Sequence, residues 1–300
     1  MDTITAEINT PNEINIREKL AAYLELTKPR IAFLLVLTSA AGYYLGSRGD
    51  FRITVFVYAM VSITLLAFGV ATLNQWFERG LDPLMKRTAR RPLPAGKVLP
   101  VEALIFGVLQ CVIAELILFF AVNGLTALLG LLVIVGYVLV YTPLKTRTTA
   151  STAIGAIPGA LPPLMGWTAA TGDISLAAWA LFVIQFLWQF PHFLAIAWMY
   201  RDEYKAAGII MLPVVEPEGR ITFRQIVLFT FMLLPVSLAQ FFLAQAGFIF
   251  LAGAAVLGGW LMYASIKAAR TRTIGAAKRL LLVTVIYLPL LFILMVLDKK

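Results

Sequence analysis

Asn74-Gln-Trp-Phe-Glu-Arg-Gly-Leu-Asp-Pro-Leu-Met-Lys-Arg-Thr-Ala-Arg-Arg-Pro-Leu-Pro-Ala-Gly96 is a polar island in an apolar chain. It lies between two uncharged runs, 53–74 and 101–121, and so reads as a loop at a membrane surface. Asn74, Glu78 and Asp82 follow at steps of four, with Lys86, Arg87, Arg90 and Arg91 behind them. Oxygen ligands beside a cluster of cations suit a magnesium diphosphate. The oxygens hold the metal and the cations hold the phosphate oxygens. Gly80 and Pro83 interrupt regular helix here. Asn74 and Glu78 therefore share a helix face, and Asp82 falls on the turn that follows.

The rest of the chain supports the membrane reading. Of its 300 residues, 60% are hydrophobic and 14% are charged, against roughly 25% charged in soluble domains. Long apolar runs recur at about 31–47, 53–74, 101–121, 125–142, 152–171, 174–194, 225–245, 247–266 and 280–297. The expected fold class is all-α, a polytopic membrane protein of about nine transmembrane helices around a central cavity open to the cytoplasmic side. Of the 25 Lys and Arg, all but Arg48, Arg52, Lys299 and Lys300 fall on the N-terminal side of such a topology. That bias predicts a cytoplasmic N-terminus and cytoplasmic charged loops.

The net charge of +9 is thus a topology signal. It sits in short loops, which excludes a nucleic-acid-binding domain as its cause. The single cysteine, Cys111, falls inside an apolar run and cannot form a disulfide within one chain. Residues 1–28 read as a tail followed by an interfacial amphipathic helix over 14–28, with no apolar core and cleavage site of a leader. Residues 29–300 read as one transmembrane domain.

Further polar residues stand out within this background. Glu115 lies inside the third run, where a carboxylate is costly and implies a cavity or a partner. Lys145 and Arg147 follow the fourth run, just after Tyr141. The fifth run is rich in glycine and proline, which membrane helices tolerate where they pack closely or line a cavity. In the sixth run Gln185, Gln189 and His192 share one helical face, and His192 is the only histidine. Arg201, Asp202 and Glu203 form a second charged cluster at the same surface as the first, so Asp202 and Glu203 join the candidate metal ligands.

A diphosphate at a membrane surface with its tail inside the membrane is a prenyl diphosphate. Its ionisation leaves an allylic cation, which aromatic faces such as Trp76, Tyr141, Trp188 or Tyr200 can stabilise. No Gly-rich phosphate loop points instead to a soluble kinase or phosphatase.

The stretch from Asn74 to Gly96 resembles the first aspartate-rich motif of the UbiA-type intramembrane prenyltransferases. Glu78 stands where that motif has aspartate. The continuation from Asp82 is similar to the haem-farnesylating branch of the family. So are Tyr141-Thr-Pro-Leu-Lys145, Gly159-Ala-Leu-Pro-Pro-Leu-Met-Gly-Trp167, Trp188-Gln-Phe-Pro-His-Phe-Leu-Ala-Ile-Ala-Trp-Met-Tyr-Arg201 and Ala207-Gly-Ile-Ile-Met-Leu-Pro-Val-Val215. The second aspartate-rich motif is replaced by Tyr200-Arg-Asp-Glu-Tyr204. Thr146 and Ser151 stand where a basic residue and asparagine are expected.

The resemblance implies farnesyl diphosphate and haem B as substrates, magnesium as cofactor and a bacterial inner-membrane location. It also implies a downstream partner in haem A synthesis or terminal oxidase assembly. It makes Lys86, Arg87, Arg90, Arg91, Lys145 and Arg147 diphosphate ligands, and Arg201 a ligand of the diphosphate or of a haem propionate. His192 becomes a haem contact, beside Gln185 and Gln189. A relative acting on an aromatic acid, quinone precursor or chlorin is the alternative, and a non-catalytic haem or lipid carrier the remote one.

Overall fold

The computed structural model describes residues 15–47, 49–243 and 245–300, so the expected tail over 1–13 lies outside the described residues. It is helical throughout. An isolated bridge between Ala246 and Lys299 is the sole β pairing among the described residues. The helices are α1 (Ile16–Leu26), α2 (Pro29–Gly46), α3 (Ile53–Glu78), α4 (Pro100–Ile117), α5 (Gly124–Ile134), α6 (Thr142–Leu144) and α7 (Ser151–Thr171). They continue as α8 (Leu176–Met199), α9 (Arg201–Ala206), α10 (Leu212–Val215), α11 (Arg220–Phe242), α12 (Phe248–Thr271) and α13 (Ile274–Leu297). Looser π turns extend α4 over Leu118–Val122 and join α5 to α6 over Val135–Tyr141.

Each of the nine apolar runs falls on one of these long helices. Seven of them are long and apolar enough to cross a membrane. The two that fall short, α2 and α7, do so for composition. The helix α2 opens on Pro29-Arg30, and α7 carries Pro158, Pro162, Pro163 and three glycines. The two pack closely on each other, and most of α7 is buried, whereas Ile31 and Phe33 of α2 are exposed. Apolar side chains of α4, including Val101, Ile105, Leu109, Val112 and Leu116, face outward. A contiguous exposed apolar face of that kind is what a lipid-facing helix presents. The protein is a multi-pass integral membrane protein.

Small residues set the central packing. A Cβ on Gly166 would collide with the Ser39 carbonyl, and one on Gly42 with the Pro163 carbonyl. The helices α2 and α7 therefore meet backbone to backbone, as small residues permit. Ser39 Oγ adds a hydrogen bond to the Pro162 carbonyl at 2.9 Å. Prolines inside α7 free carbonyls that must find donors elsewhere. Pro163 has no N–H for the Gly159 carbonyl, and Gln185 Nε2 of α8 donates to it at 2.8 Å. Asn123 Nδ2 reaches the Thr168 carbonyl at 2.9 Å.

The helix α1 lies at the charged end. Ile16, Leu20 and Leu24 point away from the bundle, while Ala22 and Leu26 are buried. Lys19 pairs with Glu102 of α4 at 2.7 Å, and Tyr23 packs edge-on against Phe106. The opposite end is held by Arg52, which donates to the Ala170 carbonyl at 2.8 Å. Lys299 also acts there, donating to the Tyr44 and Ser47 carbonyls at the C-terminus of α2.

The contact of α2 with α7 predicts a sharp contrast between glycines. Gly166→Ala should cost about 1–3 kcal/mol, the range of overpacking in a tight core. Gly259→Ala meets nothing within 4 Å and should leave stability unchanged. Thermal unfolding of the purified protein in detergent measures both.

Candidate active site

The last turns of α3 place Asn74, Gln75 and Glu78 on its buried face. Gln75 Nε2 donates to the Leu26 carbonyl at 2.8 Å and fixes the end of α1 there. Asp82 is fully buried in the 3-10 turn Asp82–Leu84. Thr88 Oγ1 donates to the Asp82 carbonyl at 2.8 Å and folds the following loop back. That brings Arg91 Nη1 to the Asp82 carboxylate, at 2.8 Å from Oδ1 and 3.0 Å from Oδ2. The same nitrogen lies 3.8 Å from Glu78 Oε2. On the other side of Glu78, Lys145 Nζ donates to Oε1. Its ammonium also sits 4.5 Å from the centre of the Tyr141 ring.

Two residues outside the predicted set complete this cluster. Thr142 Oγ1 accepts from Asn74 Nδ2 at 3.1 Å and donates to the Tyr137 carbonyl at 2.8 Å. Lys28 Nζ donates to Asn74 Oδ1 at 3.1 Å. Its backbone is left-handed, with φ 49° and ψ 58°, although it precedes a proline. Such a conformation costs a non-glycine residue about 1–3 kcal/mol and persists where the surroundings impose it. In the sequence, Lys28 reads as an ordinary basic flank of a membrane span.

The electrostatics of this end are tense. Burial lifts the Asp82 carboxyl above the ordinary aspartate range in spite of Arg91. Burial also works against the Lys145 ammonium, but Glu78 beside it holds that group well above the usual lysine value. Burial, reinforced by Arg91, pushes Lys28 down to about 7. Three cations crowd two carboxylates here, an excess that a polyanion would relieve.

Other predicted residues lie elsewhere. Lys86, Arg90 and Arg147 are exposed at the rim. The Arg87 amide donates to Glu203 Oε2 at 3.1 Å, and its guanidinium packs over Tyr200 and Tyr204. Arg87 thus staples the first charged loop to α9. Glu203 is engaged by that staple and Asp202 is exposed, so the two do not join Glu78 and Asp82 in one oxygen set. Arg201 is turned onto Trp198, donating to its carbonyl at 2.9 Å and covering its ring at 4.6 Å.

Trp76 packs against α1 and the 93–103 segment, under Arg79. Trp188 is core, with its indole N–H donated to the Thr284 carbonyl at 2.8 Å. Gln185 and Gln189 donate to α7 carbonyls, at 2.8 Å and 2.9 Å. Gln185 thereby repairs a proline-broken turn, and Gln189 ties α8 to α7, which explains polar residues at that depth. Glu115 belongs to a lateral apolar groove of about 780 Å³ between α4 and α5, remote from the cation cluster in the contacts it makes. Gly130 makes room for its carboxyl.

His192 stacks on Trp188 with ring centres 4.7 Å apart. Its Nδ1 is 2.9 Å from Thr284 Oγ1. That hydroxyl donates its proton to the Leu281 carbonyl at 2.7 Å, so it accepts from the imidazole. The geometry assigns the proton to Nδ1 and leaves the lone pair on Nε2, the tautomer suited to a ligand or a base.

Among the described residues, no group of three or more His, Cys, Asp or Glu gathers into a metal cage. Two buried carboxylates and an amide oxygen at one mouth still fit magnesium, which takes few protein ligands and completes its shell with water and phosphate oxygens. Asn74, Glu78 and Asp82 are the residues that would hold it.

A helical membrane bundle that gathers these oxygens and cations at one end has the architecture of an intramembrane prenyltransferase. The UbiA prenyltransferase family matches residues 35–295, and the chain belongs to that family. It is 44% identical to the protohaem IX farnesyltransferase of Solibacter usitatus, over 92% of this chain and 98% of that one. It is 40% identical to that of Koribacter versatilis, over 100% and 99%. In structure it resembles a digeranylgeranylglyceryl phosphate synthase, with a TM-score of 0.79 at 17% identity over 94% and 98% of the chains. A UbiA homologue of Archaeoglobus fulgidus bound to GPP and Mg2+ follows at 0.63 and 15% identity, over 91% and 99%. These likenesses establish the fold and the enzyme class, prenyl transfer.

The assignment of Gln185 to helix repair has a direct check. Gln185→Leu should lower thermal stability by about 1–3 kcal/mol, the cost of an unsatisfied buried carbonyl. The folded fraction should bind magnesium pyrophosphate with wild-type affinity; a large loss of that affinity would place Gln185 in the site.

Proposed function

We propose that the protein transfers the farnesyl group of farnesyl diphosphate to a vinyl group of haem B, with addition of water, giving haem O and diphosphate. The cluster of Asn74, Glu78 and Asp82 with Lys28, Arg91 and Lys145 carries this reading. The substrate pair comes from the protohaem IX farnesyltransferases that the chain resembles over nearly its whole length.

The carbon–oxygen bond of the allylic diphosphate breaks, and its electron pair leaves with the diphosphate. Lys145, Arg91 and Lys28 hold the departing oxygens. Magnesium, when bound, draws further charge from the leaving group. The Tyr141 ring already carries a cation on its face, Lys145, and offers that surface to the developing allylic cation. The vinyl π electrons form the new carbon–carbon bond. Water adds to the adjacent carbon and gives up a proton. His192 Nε2 is assigned either to that proton or to the haem iron. On this reading the charged loops face the cytoplasm across the inner membrane, and haem O passes to a downstream enzyme of haem A synthesis or oxidase assembly.

Asp82→Asn should lower magnesium-dependent turnover by about a thousandfold, while haem B binding, read from its absorption spectrum, stays unchanged. Purified protein with haem B, farnesyl diphosphate and magnesium, followed by mass analysis of the haem, is the decisive assay. Prenylated hydroxybenzoate in a parallel incubation, with unmodified haem, would overturn the substrate assignment. His192→Ala should leave magnesium pyrophosphate binding intact and lower haem farnesylation at least about tenfold. An equal loss in both would remove His192 from the haem side.

A further inference from the structure

The diphosphate end of the bundle is neutralised from within. Arg91 spans Asp82 and Glu78, Lys145 takes the remaining Glu78 oxygen, and Lys28 takes the Asn74 amide oxygen. Every candidate metal-ligand side chain therefore already has a cationic partner. A divalent cation entering alone would meet Lys28 at Asn74 and would add to an excess of positive charge. A diphosphate entering with the metal changes this balance. It supplies oxygens to which the ammonium and guanidinium groups can turn, and it frees the side-chain oxygens for the metal.

Lys28 is the member built for such a turn. It sits at the hinge between α1 and α2, with Thr27 Oγ1 bonded to the Leu24 carbonyl at 2.7 Å. Its left-handed backbone, forced on a residue before proline, aims the side chain at the end of α3. An extended backbone, the usual choice before proline, would not keep that aim. Thr142 holds the Asn74 amide from the other side, so Asn74 Oδ1 stays pointed at Lys28.

We propose that Lys28 is the internal counter-ion of the metal site: it occupies Asn74 Oδ1 until a diphosphate draws its ammonium away, so that metal and diphosphate bind synergistically. Lys28 is in this sense a positioning residue, and the inference rests on the prenyl-diphosphate reading of the site.

The test is calorimetric titration of the full-length protein in detergent with magnesium alone, inorganic pyrophosphate alone in EDTA, and both. For the wild type, pyrophosphate should raise magnesium affinity by about tenfold or more, the usual size of such coupling. Lys28→Met should bind magnesium alone several-fold more tightly than the wild type and bind pyrophosphate about tenfold more weakly. Its coupling should shrink towards unity. Lys28→Arg keeps the charge and should restore the coupling, and its thermal unfolding reports on folding. A Lys28→Met variant with unchanged or weaker affinity for magnesium alone would overturn the inference. If Lys28→Met does not fold, uncoupled binding in the wild type or lost coupling in Lys28→Arg overturns it. A wild type that binds neither probe would overturn the prenyl-diphosphate reading itself.

Discussion

Two carboxylates are buried at the end of a membrane bundle, and the structure depends on how they are neutralised. An uncompensated buried charge is among the most costly features a fold can carry. Here Arg91 and Lys145 come from two different loops to meet Asp82 and Glu78. Those pairs fix the loop after α3 to the turn after α6. Lys28 adds the hinge between α1 and α2, and Arg87 adds α9 through Glu203 and the two tyrosines. Four separate segments are thus held over one end of the bundle by groups that, on the proposed function, also meet the diphosphate. On that reading, stability in the free protein and affinity for a diphosphate draw on the same side chains.

The sequence made the membrane class legible because hydropathy needs no partner to be read. Length and apolarity are properties of one helix, and the nine runs land on nine long helices among the described residues. The same criterion admits seven, since Pro29-Arg30 in α2 and the prolines and glycines of α7 lower their apolarity. The centre of the cation cluster was equally legible: Asn74, Glu78, Asp82, Arg91 and Lys145 do meet. What the sequence could not show is direction. Gln185 and Gln189 look like cavity polar groups, yet Gln185 serves a carbonyl that Pro163 leaves free and Gln189 binds the Ala156 carbonyl. Trp76 and Trp188 look like cavity aromatics, yet one braces α1 and the other anchors α13. Lys28 had no signal beyond its charge, because its importance lies in a backbone conformation that no periodicity encodes.

On the proposed function the two chemical ends of the site sit at different depths in the bundle. His192 lies seven residues before the end of α8, about 10 Å at the rise of an α-helix. The loop that carries Arg91 meets the chain just past that end, through Arg87 on Tyr200, Glu203 and Tyr204. The imidazole is half-buried, and Thr284 of α13 fixes its tautomer. The Thr284 hydroxyl is committed to the Leu281 carbonyl and can only accept from the ring. The Thr284 carbonyl at the same time takes the Trp188 indole, which stacks on His192. One residue of α13 therefore sets both the proton position and the plane of the imidazole. The charged end is built instead from exchangeable ion pairs, whose partners can be traded for phosphate oxygens. The proposed function, release of a polyanion at one end and a carbon–carbon bond formed deeper inside, needs this division, with exchangeable charges at the mouth and a fixed neutral imidazole within.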